Sequence, residues 1–66
     1  MQIHLNGEPH ECAESTTLAA LVVTLALAGK RIAVELNGEI APRSQHASIT
    51  LHAGDRVEIV QAIGGG

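Results

Sequence analysis

Two Asn-Gly pairs, Asn6-Gly7 and Asn37-Gly38, each follow a short segment in which apolar and polar residues alternate. Asn-Gly is the strongest short signal for a two-residue hairpin, because the turn needs positive φ at both central positions. Met1, Ile3 and Leu5 recur with a period of two before the first pair, and Ile32, Val34 and Leu36 before the second. That period places each set on one face of a strand. Residues 8–12 and 39–41 read as the return strands. Pro9 lacks an N–H and suits a sheet edge, and Pro42 stops the second return strand. The chain is thus expected to hold two hairpins.

Between the hairpins the pattern changes. Leu18, Leu21, Val22 and Leu25 have the i, i+3, i+4, i+7 spacing of one buried helical stripe. Thr17, last of the Ser15-Thr16-Thr17 run, is the expected N-cap. Gly29 is expected to end the helix, with Lys30 and Arg31 complementing its negative end. Val23 and Leu27 fall off the stripe, so either the helix stops early or an apolar patch lies exposed. Residues 43–53 read as irregular, anchored by Ile49 and Leu51. Ala53-Gly54-Asp55 is a turn, and residues 56–61 form the last strand, with Val57 and Ile59 inward and Glu58 and Val60 outward. A helix laid over one face of a sheet buries both apolar surfaces, a two-layer α+β arrangement.

Composition narrows the function. With 66 residues the chain is one domain, and one this short buries only about 60% of the surface its unfolded form exposes. An enclosed catalytic cavity is therefore not expected, and the chain reads as a carrier rather than an enzyme. It contains no Phe, Tyr or Trp and carries a net charge of −3. Aromatic stacking platforms and a basic face are both missing, which argues against nucleic acid as a partner. The apolar run at 18–28 falls short of the roughly 20 residues that span a bilayer, and no Lys or Arg precedes it. Neither a membrane span nor a secretory signal is expected. A single cysteine, Cys12, excludes an internal disulfide and fits a reducing cytoplasm.

The ending is the most informative feature. After Ile63 only Gly64, Gly65 and Gly66 remain. With glycine at about 7% of residues, Gly-Gly closes a chain by chance about once in 200 sequences. Glycines allow close backbone approach and can thread a narrow tunnel to present a carboxylate. Residues 1–63 are therefore read as the folded domain, and 64–66 as a flexible tail bearing the reactive terminus. A carboxylate acylates poorly until attack on the α-phosphate of ATP makes it an acyl-adenylate.

Three segments carry a resemblance: MQIHLNG at 1–7, RIAVELNGEIAPR at 31–43 and GDRVEIVQAIGGG at 54–66. Together they resemble the ThiS family of sulfur carrier proteins of thiamine biosynthesis, over essentially the whole chain. The resemblance implies a ubiquitin-like β-grasp fold, a mixed sheet of about four to five strands packed on one helix, with first and last strands parallel at the centre. It also implies partners. An E1-like adenylyltransferase of the ThiF type would activate Gly66 with ATP, and a sulfur donor enzyme would convert it to a thiocarboxylate. Thiazole synthase would then take the sulfur. Gly65 would supply the slim approach and Gly64 reach. ATP would be used by the activating partner, with no cofactor resident on the chain. The helix region departs from the family in its richness in Ala, Leu and Val, and His46 stands where relatives often carry an aromatic.

Other residues offer less. His10 and Cys12 are two apart on one strand, but a zinc site takes three or four ligands, so no metal is expected. Cys12 reads as a small core hydrophobe, the four histidines as surface or packing residues, and Glu8, Glu11 and Glu14 as solvated charges. Asp55 and Arg56 read as shaping the turn into the last strand. Val60 and Ile63, outward apolar positions leading into the tail, suggest a docking surface. Two rival functions share the tail: the small subunit of molybdopterin synthase, and a ubiquitin-type modifier joined to lysines.

Overall fold

The computed structural model describes residues 1–62. Five strands form one mixed sheet: β1 (Gln2–Leu5), β2 (Glu8–Glu11), β3 (Ile32–Leu36), β4 (Glu39–Ile40) and β5 (Arg56–Gln61). Their spatial order is β2-β1-β5-β3-β4. β1 and β5 run parallel at the centre, and every other pairing is antiparallel. One helix, α1 (Leu18–Thr24), covers one face. The architecture is the expected ubiquitin-like β-grasp, α+β with a mixed sheet.

The hairpins form where the Asn-Gly pairs predict them. Asn6, Gly7, Asn37 and Gly38 all adopt positive φ, between 50° and 86°. Pro9 lies on β2, an edge strand, as its missing donor requires. Ile3, Val34, Val57 and Ile59 point inward from three adjacent strands and meet Leu18 and Leu21 of α1. Leu51 and Ala41 close the core, with Ile49 partly buried against it. A core without aromatic rings therefore depends on short aliphatic contacts among three strands and one helix.

Two expectations are corrected. Gly29 does not end the helix: α1 stops at Thr24, and Ala26 takes the left-handed conformation with φ of 61°. The N–H of Ala26 donates to the Val23 carbonyl, and that of Leu27 to the Val22 carbonyl. These are the two bonds of a Schellman closure, with Leu27 providing its apolar contact near Val22. Burying Leu27 there outweighs the cost of an alanine at positive φ. Gly29 has positive φ as well, in the turn that follows. Val23 is left 64% exposed.

Residues 43–53 are not irregular throughout. Arg43–Ser48 forms a 3-10 helix, entered from extended Pro42 and opened by a bond from the Gln45 N–H to the Pro42 carbonyl. It turns His46 inward, 7% exposed, with Nε2 donating to the Ala41 carbonyl at 2.8 Å. His46 thus occupies a packing position. Thr17 caps α1 as expected, its hydroxyl accepting from the Ala20 N–H. Among the described residues no helix is long and apolar enough to cross a membrane.

Candidate functional site

The site predicted from sequence begins where β5 ends. Ile63, Gly64, Gly65 and Gly66 lie outside the described residues, so the structure defines the root from which they continue. On β5 the backbone groups of even-numbered residues face β3. The Asn37 N–H donates to the Arg56 carbonyl, and the Ala62 N–H to the Arg31 carbonyl. Odd-numbered residues face β1, where the Asn6 N–H donates to the Val57 carbonyl. β5 outruns β1, because β1 turns away at Asn6-Gly7.

An asparagine side chain makes up the shortfall. Asn6 Oδ1 accepts from the Ile59 N–H at 2.8 Å, and its Nδ2 donates to the Ile59 carbonyl at 3.3 Å. The amide thus continues the parallel ladder by one residue after the backbone has left it. Asn37 does a related job at the start of β5, its Oδ1 accepting from the Arg56 N–H at 2.9 Å and its Nδ2 donating to Asp55 Oδ1 at 3.2 Å. Asp55 in turn accepts from the His52 N–H. Asp55 therefore shapes the turn into β5, as expected. The sequence reading used both asparagines only as turn formers and missed the clamps. Asn rather than Gly or Asp in both pairs was the available signal.

The face of the sheet away from α1 carries exposed Val60 (65%) and Ile40 (67%). Val60 stands opposite Ala33 on β3. Beside them a depression of about 280 Å3 is bordered by His4, Glu35, Arg56 and Glu58, between the two turn glycines. Glu35 and Glu58 are directly opposed across the strands, a like-charge pairing that opposes folding. Arg56 lies beside them on the same face, two positions before Glu58. Cys12 is half-buried against the core, and the described residues hold no cluster of three or more His, Cys, Asp or Glu placed to bind a metal. His10 and Cys12 do not combine into one.

The end of β5 is therefore held on its β3 side, with a clamp on its β1 side three residues earlier. β3 binds it through Arg31, and Asn6 fixes Ile59 three residues upstream of Ala62. The described chain thus ends on the central strand of the sheet, paired on both sides along its length.

Comparison with known proteins shows the family of the chain. A model described as the ThiS family matches residues 3–66. Over its whole length the chain is 33% identical to the sulfur carrier protein ThiS of Escherichia coli, covering all of that protein. It is 42% identical, again over its whole length, to part of a thiazole synthase of Magnetococcus marinus. There it spans only 20% of the longer protein. Among solved structures, the crystal structure of a thiamine biosynthesis protein (ThiS) from Geobacter metallireducens matches with a TM-score of 0.85 and 36% identity, each chain fully covered.

Proposed function

Because the chain belongs to the ThiS family, we propose that it is a sulfur carrier of thiamine biosynthesis, acting through the carboxylate of Gly66. The observation that carries this reading is an alignment with the Escherichia coli sulfur carrier that spans both chains from end to end, at 33% identity. On this reading the chain is a co-substrate of other enzymes, and its own contribution is presentation.

The chemistry proceeds in three transfers. A Gly66 carboxylate oxygen attacks the α-phosphate of ATP on an E1-like adenylyltransferase, releasing pyrophosphate and leaving an acyl-adenylate. A sulfur donor enzyme then supplies the sulfur that displaces AMP, giving a thiocarboxylate. Thiazole synthase passes that sulfur to its substrate, and the acyl carbon takes an oxygen in exchange, from that substrate or from water, which restores the carboxylate. The chain's own residues contribute the platform: β3 and Asn6 fix the strand from which the tail continues, and glycines are proposed to keep its end slim. Residues 63–66 reach at most about 14 Å beyond Ala62, at roughly 3.3–3.6 Å per extended residue. A partner that works on Gly66 must therefore sit against the domain. Val60, exposed two residues before Ala62, and Ile63 are proposed to contribute to that contact.

Intact-mass measurement tests the reading. The chain is incubated with the activating enzyme, ATP and a sulfur source. A species heavier by the replacement of one oxygen by sulfur, localised to the C-terminal peptide, is expected. An unchanged mass, or conjugates joined to lysines of other proteins, would refute it.

A further inference from the structure

The two hairpin turns share one sequence. Residues 5–8 and 36–39 are the same tetrapeptide, Leu-Asn-Gly-Glu. Both fold into the same turn, with φ of 50° and 82° at Asn6 and Gly7, and of 52° and 86° at Asn37 and Gly38. Around each glycine the space that a Cβ would occupy is empty. Neither glycine N–H enters a backbone hydrogen bond among the described residues. With no side chain in the way, the glycine nitrogen can approach the amide carbon of the asparagine before it. Local chemistry is therefore matched at the two turns. Any difference in their reactivity comes from the tertiary partners of the two asparagines.

Those partners differ. The Asn6 amide is engaged by both backbone groups of Ile59, in a part-buried ladder between the first and last strands. Four residue pairs, joining Gln2–Leu5 to Glu8–Glu11, stand behind its turn. Freeing this amide means opening the centre of the sheet, where native-state openings cost most. Asn37 instead bonds the Asp55 carboxylate and the Arg56 N–H at the exposed surface, where water replaces both. Behind its turn stand two β3–β4 pairs, Leu36 with Glu39 and Glu35 with Ile40, at the sheet edge. Local fraying of that edge is enough to release it.

We propose that Asn37 is a site of spontaneous deamidation in the folded protein, and that the Ile59 contact protects Asn6 from the same reaction. The Gly38 backbone nitrogen gives up its proton to base and attacks Asn37 Cγ. The side-chain nitrogen leaves as ammonia, and a succinimide ring closes. Water opens the ring at either carbonyl, which restores the Gly38 N–H and gives aspartate or isoaspartate. One water enters for each ammonia that leaves, and nothing is oxidised or reduced. The product bears a carboxylate where Asn37 Nδ2 had donated to Asp55 Oδ1 at 3.2 Å. Two like charges then face each other at the entry to β5. The isoaspartyl form also adds a methylene to the main chain of the β3–β4 turn. The converted chain is expected to melt below the fresh one.

The test incubates the full chain in mildly alkaline buffer, folded in one arm and in concentrated urea in the other. Samples are digested at mildly acidic pH, where the reaction is slow, and both turns are quantified by mass spectrometry. A methyltransferase specific for isoaspartyl carboxylates marks that product. In urea the two identical tetrapeptides should convert at similar rates. In the folded chain Asn37 should convert about tenfold or more faster than Asn6, and faster still as pH rises. In Asn37→Gln, whose longer side chain closes a ring far less readily, the folded chain should keep its original mass. Equal rates at both turns of the folded chain, or faster conversion at Asn6, overturns the proposal. So does a preference for Asn37 that persists undiminished in urea, since the fold would then have no part in it.

Discussion

Asn6 combines two demands that glycine alone would not meet. It accepts a φ of 50° in the turn, and its amide pairs with both backbone groups of Ile59. Asn6→Gly keeps the turn and removes the pairing, leaving a part-buried N–H and C=O without partners. A loss of about 1–3 kcal/mol is expected. Asn37→Gly should cost less, because its bonds to Arg56 and Asp55 are exposed and water replaces them. Urea titration of the two variants checks the order; equal losses would mean the Asn6 clamp adds nothing beyond its turn. Gly65→Val belongs to the same scale. A β-branched side chain next to the reacting residue narrows the allowed backbone and thickens the tail. Misplacement by about 1 Å can cost roughly a hundredfold in rate. ATP–pyrophosphate exchange with the activating enzyme should fall to that extent while the melting temperature holds. Wild-type exchange would remove the tail from the proposed site.

Helix α1 shows how an element's end is settled by what its last residues can bury. Its seven residues form about two turns, too short to persist alone. Thr17 opens it, and Leu18, Leu21 and Val22 hold it to the sheet. It closes at Ala26 because this places Leu27 against the core edge, although Cβ at positive φ is crowded by the neighbouring carbonyl. Ala26→Gly removes that crowding. Its gain is reduced by the greater freedom of glycine in the unfolded chain, so a net stabilisation of about 0.5–1 kcal/mol is expected. Thermal and urea unfolding would both register it. A destabilised variant would mean that the closure is not strained.

Across the whole molecule, stability depends on a single layer of aliphatic contacts. Leu21 is 1% exposed and sits between α1 and the sheet; Ile59 faces it from β5. Leu21→Ala and Ile59→Ala should each cost about 2–5 kcal/mol, the usual range for large-to-small changes in a core. Small domains have about 5 kcal/mol or little more in total, so either variant should melt far below the wild type. Urea titration showing less than about 1 kcal/mol for both would contradict the core assigned here. So thin a core is in keeping with the two depressions of the described residues, the one beside Arg56 and a groove between α1 and the 3-10 helix, which are open features of opposite faces.

Much of this protein follows from local sequence. Both hairpins, the Thr17 cap, the inward faces of β1, β3 and β5 and the edge position of Pro9 depend on interactions between residues close in the chain. Period, turn chemistry and capping are therefore enough to place them. The glycine ending, on which the proposal for Gly66 rests, is likewise a feature of local sequence alone. What the tertiary structure alone decided are matters of long-range contact. Helix α1 stops short of Gly29 because of where Leu27 can be buried. Residues 43–48 coil because Ala41 and His46 must meet, without any apolar period to announce it. Asn6 reaches Ile59 across 53 positions of sequence, completing a ladder that exists only once the first and last strands lie side by side. The groove lined by Val22, Ile32 and Arg43 likewise arises only when α1 packs beside the 3-10 helix. Its wall is tied together by the Arg43 guanidinium, which donates to the Lys30 carbonyl 13 positions away in the chain.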